Sequence, residues 1–307
     1  MHTREDWLNA IGNPQNYEFP KTRTLIKRYD FPDYSIEVYR QANGIRTNGE
    51  ITYQRLFMGF PKNASGSLPG VAVPFYYPEA TLGFDPETSS SLPRFAENPT
   101  FFDLLRRGFV VATAESYHLT YMESPLARED FSRWRVAAEA LLSDHPGWTG
   151  MGKLIADTRL VLDALEEDSR VDANRLGIAG HSLGGKMAFY TGCLDDRVKV
   201  ILASDFGIGW EQTNWNDIWY WGEKLTVLKA QGFDHSSLLA CAAPKPFCLL
   251  AGLYDNDDSR QMMDSVSQYR ELPGRLFFVN HATGHRPPKY AADAGYGFLA
   301  HWLEHTF

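Results

Sequence analysis

Cysteine is scarce in this chain. Only Cys193, Cys241 and Cys248 occur among 307 residues, and none sits in a CxxC or comparable zinc spacing. That excludes a disulfide framework and gives a reducing compartment as the expected setting. Positive charge is also short: 30 Lys plus Arg stand against 38 Asp plus Glu, a formal net charge of -8. Most nucleic-acid binding rests on the opposite balance, so nucleic acid is not an expected partner. Long apolar runs are missing. The stretch FCLLAGLY at 247–254 is far below a membrane span, and the first twenty residues lack the apolar core of a signal peptide. No membrane partner is expected and a cytoplasmic location is, with secretion the alternative if a leader has been removed. Internal repeats and low-complexity tracts are absent too, so the whole of 1–307 reads as one unit.

What is present is an ordinary globular composition, 44% hydrophobic and 22% charged. Residues 34–40 and 51–59, rich in β-branched and aromatic side chains around the turn-forming NGIRTNG, predict paired strands after an N-terminal leader within 1–50. From residue 71 the rhythm changes. Short apolar runs (VAVPFYY, FVVATAESY, NRLGIAG, RVKVILAS, KPFCLLAGLY, RLFFVN) alternate with helical patterns at 100–107, 153–166, 185–193, 259–270 and 291–304. Fully apolar strands separated by amphipathic helices imply an α/β fold with a mostly parallel central sheet covered on both faces. Ligands bind such sheets beyond the carboxyl ends of the strands.

Between NRLGIA and the helix GKMAFYTGC stands Gly180-His181-Ser182-Leu183-Gly184. A bare GxSxG arises often by chance, but a sharp strand-to-helix turn needs small residues on both sides and projects its serine outward. A serine hydroxyl needs a base, and the base needs an orienting carboxylate. Later strand ends supply both: Asp255 follows FCLLAGLY, and His281-Ala-Thr-Gly-His285-Arg follows RLFFVN. The order Ser182, Asp255, His285 results. His285 is favoured over His281 because Gly284 and the prolines after it place it in a loop able to lean over the sheet. Asp205 and Asp258 remain alternatives for the acid, and Asp257 and Asp258 otherwise read as helix caps.

From about residue 50 onward, GHSLGG, the GLYD segment at 252–255 and Gly284-His285 resemble the nucleophile elbow, acid loop and histidine loop of the α/β-hydrolase superfamily. Within it the chain is similar to acetyl xylan esterases and dienelactone-hydrolase-like enzymes. Dienelactone hydrolases proper carry a cysteine where this sequence has Ser182. The resemblance implies a serine esterase forming an acyl-enzyme without a cofactor or metal, acting on short-chain (acetyl) esters of carbohydrate or aryl compounds. An oxyanion would be met by the N–H of Leu183 and a second donor from Phe75 or Tyr76, whose hydroxyl is a further option. Residues 207–242 are expected to form a small cap insertion. Its Trp210, Trp215 and Trp219 suggest flat faces for a sugar or aryl group, and a cap packed on its own tryptophans is the bland alternative. His301-Trp-Leu-Glu304-His305 fits the HxxEH pattern of zinc peptidases, yet Trp302 and Leu303 read as the buried face of a last helix. A serine peptidase of the same fold and a non-catalytic binding protein complete the alternatives. Nothing in the sequence sets the oligomeric state.

Overall fold

The computed structural model describes residues 2–12, 17–62, 66–97 and 99–304. Among these residues nine strands make one sheet: β1 Arg23–Asp30, β2 Tyr34–Ile45, β3 Ile51–Pro61, β4 Leu68–Ala72, β5 Val110–Ala114, β6 Val171–His181, β7 Val198–Ser204, β8 Phe247–Ala251 and β9 Leu276–Asn280. Their spatial order is β1-β2-β3-β5-β4-β6-β7-β8-β9. The first three strands and the β3–β5 pair are antiparallel; every pair from β5 to β9 is parallel. The alternation read from the sequence is therefore present as a doubly covered, mostly parallel sheet.

Period-two alternation divides the core between the two faces. Ile178, Ile201, Ala203 and Leu249 point to the face covered by helices Gly150–Glu167 and Leu183–Leu194. Ala179, Leu202 and Leu250 point to the other, covered by helices Thr100–Arg106 and Lys289–Glu304. Each fully buried Leu of these layers contributes about 1.5–3 kcal/mol relative to exposure. Strand β1 escaped the periodicity argument for a physical reason. It is an edge strand, mostly exposed, and its Arg23, Lys27 and Arg28 guard the open edge rather than pattern a core.

Residues 207–242 contain helices Lys224–Ala230 and His235–Ala242, the second packed against Leu183–Leu194 and against the N-terminal helix Arg4–Ile11. The three cysteines are unpaired. Among the described residues no helix is long and apolar enough to cross a membrane.

Candidate active site

Strand β6 runs straight into helix Leu183–Leu194 through Ser182, whose backbone is held at φ 57 and ψ -118. Two glycines permit this. A Cβ on Gly180 would lie 2.0 Å from the Gly184 carbonyl oxygen, and one on Gly184 would lie 2.1 Å from that of Pro74. The Ser182 N–H donates to the Ser204 carbonyl at 2.8 Å, fixing the turn to the end of β7. Strain at one residue with bonded surroundings is what keeps a side chain aimed outward.

Ser182 Oγ lies 2.9 Å from His285 Nε2, and His285 Nδ1 lies 2.7 Å from Asp205 Oδ2. In this network Nδ1–H donates to the carboxylate, leaving Nε2 to accept from the serine hydroxyl. Tyr254 stands edge-on to the His285 ring, centroids 5.0 Å apart. His281 takes no part. Its ring is tucked under Gly252, and its Nδ1 is 2.8 Å from Thr283 Oγ1.

The carboxylate on His285 is thus Asp205 rather than Asp255. Asp205, at φ 41 just past β7, accepts the N–H groups of Gly252, Tyr254 and Asp255 on Oδ1 at 3.1, 2.8 and 3.0 Å, and keeps Oδ2 for the histidine. Burial works to raise its carboxyl, but the bonds to His285 and to the 253–255 backbone hold it below its ordinary value. Asp255 has no oxygen to offer. Its Oδ2 accepts Phe206 and Gly207 N–H at 2.8 and 2.9 Å, and its Oδ1 accepts Ile208 N–H at 2.8 Å and the Ser259 hydroxyl at 2.9 Å. Burial pushes its carboxyl up. Asp258, the other alternative, lies exposed in the first turn of helix Asp257–Ser265.

The 74–77 segment lies against the start of helix Leu183–Leu194. Ser116 ties it down, its hydroxyl donating to the Phe75 carbonyl at 2.6 Å and its N–H to that of Tyr76 at 3.2 Å. Among the described residues the N–H groups of Phe75 and Leu183 carry no hydrogen bond, which leaves both available to an oxygen above Ser182. Tyr76 is nearly buried among Phe75, Phe131 and Trp134, and burial raises its phenol.

Ser182 and His285 open into a cavity of about 110 Å³. Ala179, Leu202, Leu250 and Ala292 line its apolar part, and Arg94, Phe95 and Arg286 also line it. The tryptophans expected at the site do not. Trp215 is fully buried and Trp219 nearly so, and Trp210 packs with Trp7, Trp215, Trp221 and His235. Trp215 Nε1 donates to the Gly207 carbonyl at 2.7 Å and Trp210 Nε1 to that of Phe233 at 2.9 Å, while the Trp219 ring stacks on Phe131 and its buried Nε1 has no partner among the described residues. Trp215 and Tyr220 also flank the Lys186 amine, which burial pushes down to about 7. An apolar aromatic group that stacks on a ligand and one that stacks on its own neighbours have the same composition, so the sequence could not separate them. Sequence reasoning also passed over Arg94 and Arg286; adjacency to His285 was the one available signal, and only for the second. His301 lies exposed on helix Lys289–Glu304, and the His305 of the HxxEH pattern is outside the described residues.

Comparison with known proteins gives the geometry its setting. Residues 149–218 match the family model of glucuronyl esterase, fungi. A Bacillus subtilis (strain 168) protein provisionally named hydrolase YtaP is 30% identical over 180 residues, covering 54% of this chain and 57% of that protein. The chain therefore spans little more than half the length of this relative. Among solved structures, a glucuronoyl esterase from Solibacter usitatus superposes with a TM-score of 0.67 at 16% identity, over 92% of this chain and 86% of that one. Acetyl xylan esterase from Paenibacillus sp. R4 gives 0.62 at 17% identity, over 97% and 94%.

Proposed function

The chain has the α/β-hydrolase fold, and we propose that it is a serine carboxylic-ester hydrolase working through an acyl-enzyme. The observation that carries this reading is the unbroken line from buried Asp205 through His285 to Ser182, ending at a cavity. His285 Nε2 takes the Ser182 proton as Oγ attacks the ester carbonyl. Asp205 holds the ring in the required tautomer and stabilises the imidazolium that forms. The tetrahedral oxyanion falls to the Leu183 and Phe75 N–H groups at the helix start, where the backbone dipoles already point the right way. Collapse expels the alcohol, protonated by His285, and a water then repeats the sequence to release the acid.

The cavity supports a short acyl group, since its floor closes on Ala179, Leu202, Leu250 and Ala292. A carbohydrate alcohol is supported by what the acetyl xylan esterases among the related structures are named for, not by the insertion, whose tryptophans pack inward. The test is hydrolysis of aryl acetates and acetylated xylan by wild type and Ser182→Ala, with phosphonate labelling read by mass spectrometry. Loss of a nucleophile costs about 10⁴ to 10⁶ in kcat. One adduct, on Ser182, is expected; an adduct elsewhere or a fully active alanine variant would refute the assignment.

A further inference from the structure

Most arginines of this acidic chain are neutralised: Arg55 by Glu79 and Glu115, Arg128 by Glu79, Arg170 by Glu37 and Asp168, Arg197 by Asp163, Glu166 and Asp195. Arg94 and Arg286 are different. Both line the cavity that holds Ser182, and among the described residues neither has a carboxylate within ion-pair distance. No Asp or Glu among the described residues lines that cavity. Both guanidinium groups approach the same ring, lying 5.4 Å (Arg94) and 5.9 Å (Arg286) from the centroid of buried Phe95. A ring face positions a guanidinium without cancelling its charge or using its donors. Arg94 acts electrostatically on the Tyr76 phenol and Arg286 on the half-buried His181 imidazole, both of which line the same cavity as the nucleophile. Glu129, the acid beside Tyr76, is already taken by the Tyr77 hydroxyl.

We propose that Arg94 and Arg286 read a carboxylate on the alcohol part of the substrate, so that the preferred ester is a short-chain acyl ester of a hydroxy acid or acidic sugar. This rests on the esterase reading above. The placement follows from burial: the apolar lining of Ala179, Leu202, Leu250 and Ala292 is closed to solvent and suits the acyl chain, while Arg94 is exposed and Arg286 half-buried, on the solvent side toward which the alcohol extends. Planar guanidinium forks match a carboxylate in geometry as well as charge, and two of them compensate for its desolvation. A formal net charge of -8 would by itself repel such a substrate, so any preference for it has to be local.

The experiment compares meta-acetoxybenzoate with meta-acetoxybenzamide, which match in size and differ in charge. Wild type is expected to show a kcat/KM about tenfold or more higher for the carboxylate, the ratio shrinking with added KCl. In the Arg94→Gln/Arg286→Gln variant, checked by thermal melting, the ratio should collapse toward one. Equal rates in wild type, or a variant that slows both esters alike with the ratio intact, overturns the proposal. So does a charge preference found only when the carboxylate is on the acyl side, tested with a nitrophenyl monosuccinate against its amide. Calorimetric binding of the same benzoate and benzamide pair to Ser182→Ala gives an answer independent of turnover. Tighter binding of the carboxylate is expected there, and equal affinity refutes the arginine pair even if the esterase reading itself fails.

Discussion

The loops that follow β7 and β8 are near mirror images in their bonding and opposite in their use. In each, one aspartate accepts the backbone N–H groups of the other loop: Asp205 takes those of 252, 254 and 255, and Asp255 takes those of 206, 207 and 208. Two adjacent strand ends are thereby locked together at the edge of the site. The difference is one oxygen. Asp205 spends a single oxygen on its neighbour and gives the other to His285, whereas Asp255 spends both, the Ser259 hydroxyl completing the set. A carboxylate's role is decided by which of its lone pairs remain after the backbone has been served, and that depends on loop geometry rather than on residue type.

Asymmetric consequences for mutation follow, and the largest concerns rate. Asp205→Asn offers His285 an amide, reversing the tautomer preference, and kcat should drop about 10⁴-fold in a folded protein. Asp255→Asn should lose far less rate but more stability, about 3 kcal/mol, because backbone donors that now meet a charged acceptor would share one neutral oxygen with a misplaced NH₂. Steady-state kinetics and urea denaturation of both variants separate the two. If Asp255→Asn proves the slower enzyme while Asp205→Asn stays within tenfold of wild type, the assignment of the two loops is inverted.

A pH series sharpens the same contrast. The Asp205 carboxyl lies below its ordinary value of 3.8 in the folded chain and that of Asp255 above it. A depressed carboxyl stabilises the fold above the unfolded value and loses that contribution only as pH falls through the folded value. The stability gap between wild type and Asp205→Asn should therefore be level from pH 4 to 7. A raised carboxyl does the reverse: its contribution is complete below 3.8 and is lost as pH rises through the folded value. The gap between wild type and Asp255→Asn should accordingly be widest below 3.8 and narrow as pH rises above it. Parallel curves would mean that the two carboxylates titrate alike.

The sheet, its covering helices and the Ser182 turn were legible in sequence because each rests on local rules: apolar runs of strand length, helical periodicity, and glycines where a Cβ would collide. His285 was legible for a related reason, as a histidine in a loop past a strand end. The choice between Asp205 and Asp255 was not, since both stand in loops past the ends of buried strands and only three-dimensional bonding tells them apart. The tryptophans of 207–242 misled because stacking and burial draw on the same surface. Trp215 could turn inward once the Gly207 carbonyl met its indole N–H, and nothing local announces such a partner. Arg94 was invisible in sequence, being defined by the absence of a carboxylate beside it.

The smallest expected effect isolates the fourth bond to Asp255. Ser259 is fully buried. Its hydroxyl donates to Asp255 Oδ1 and accepts from Gln212 Nε2 at 2.9 Å and from the Asn256 N–H at 3.2 Å. Ser259→Ala removes one donor of four from the carboxylate and strips two donors of their acceptor, at a net cost of about 1 kcal/mol. The backbone bonds of residues 206–208 to Asp255 survive, so the loop that carries Asp205 keeps its position and kcat should hold at the wild-type value while the urea midpoint falls. A loss of rate approaching that of Asp205→Asn would show that the hydroxyl, through Asp255, sets the aim of the His285 partner, and the division between a chemical and a structural aspartate would then have to be abandoned.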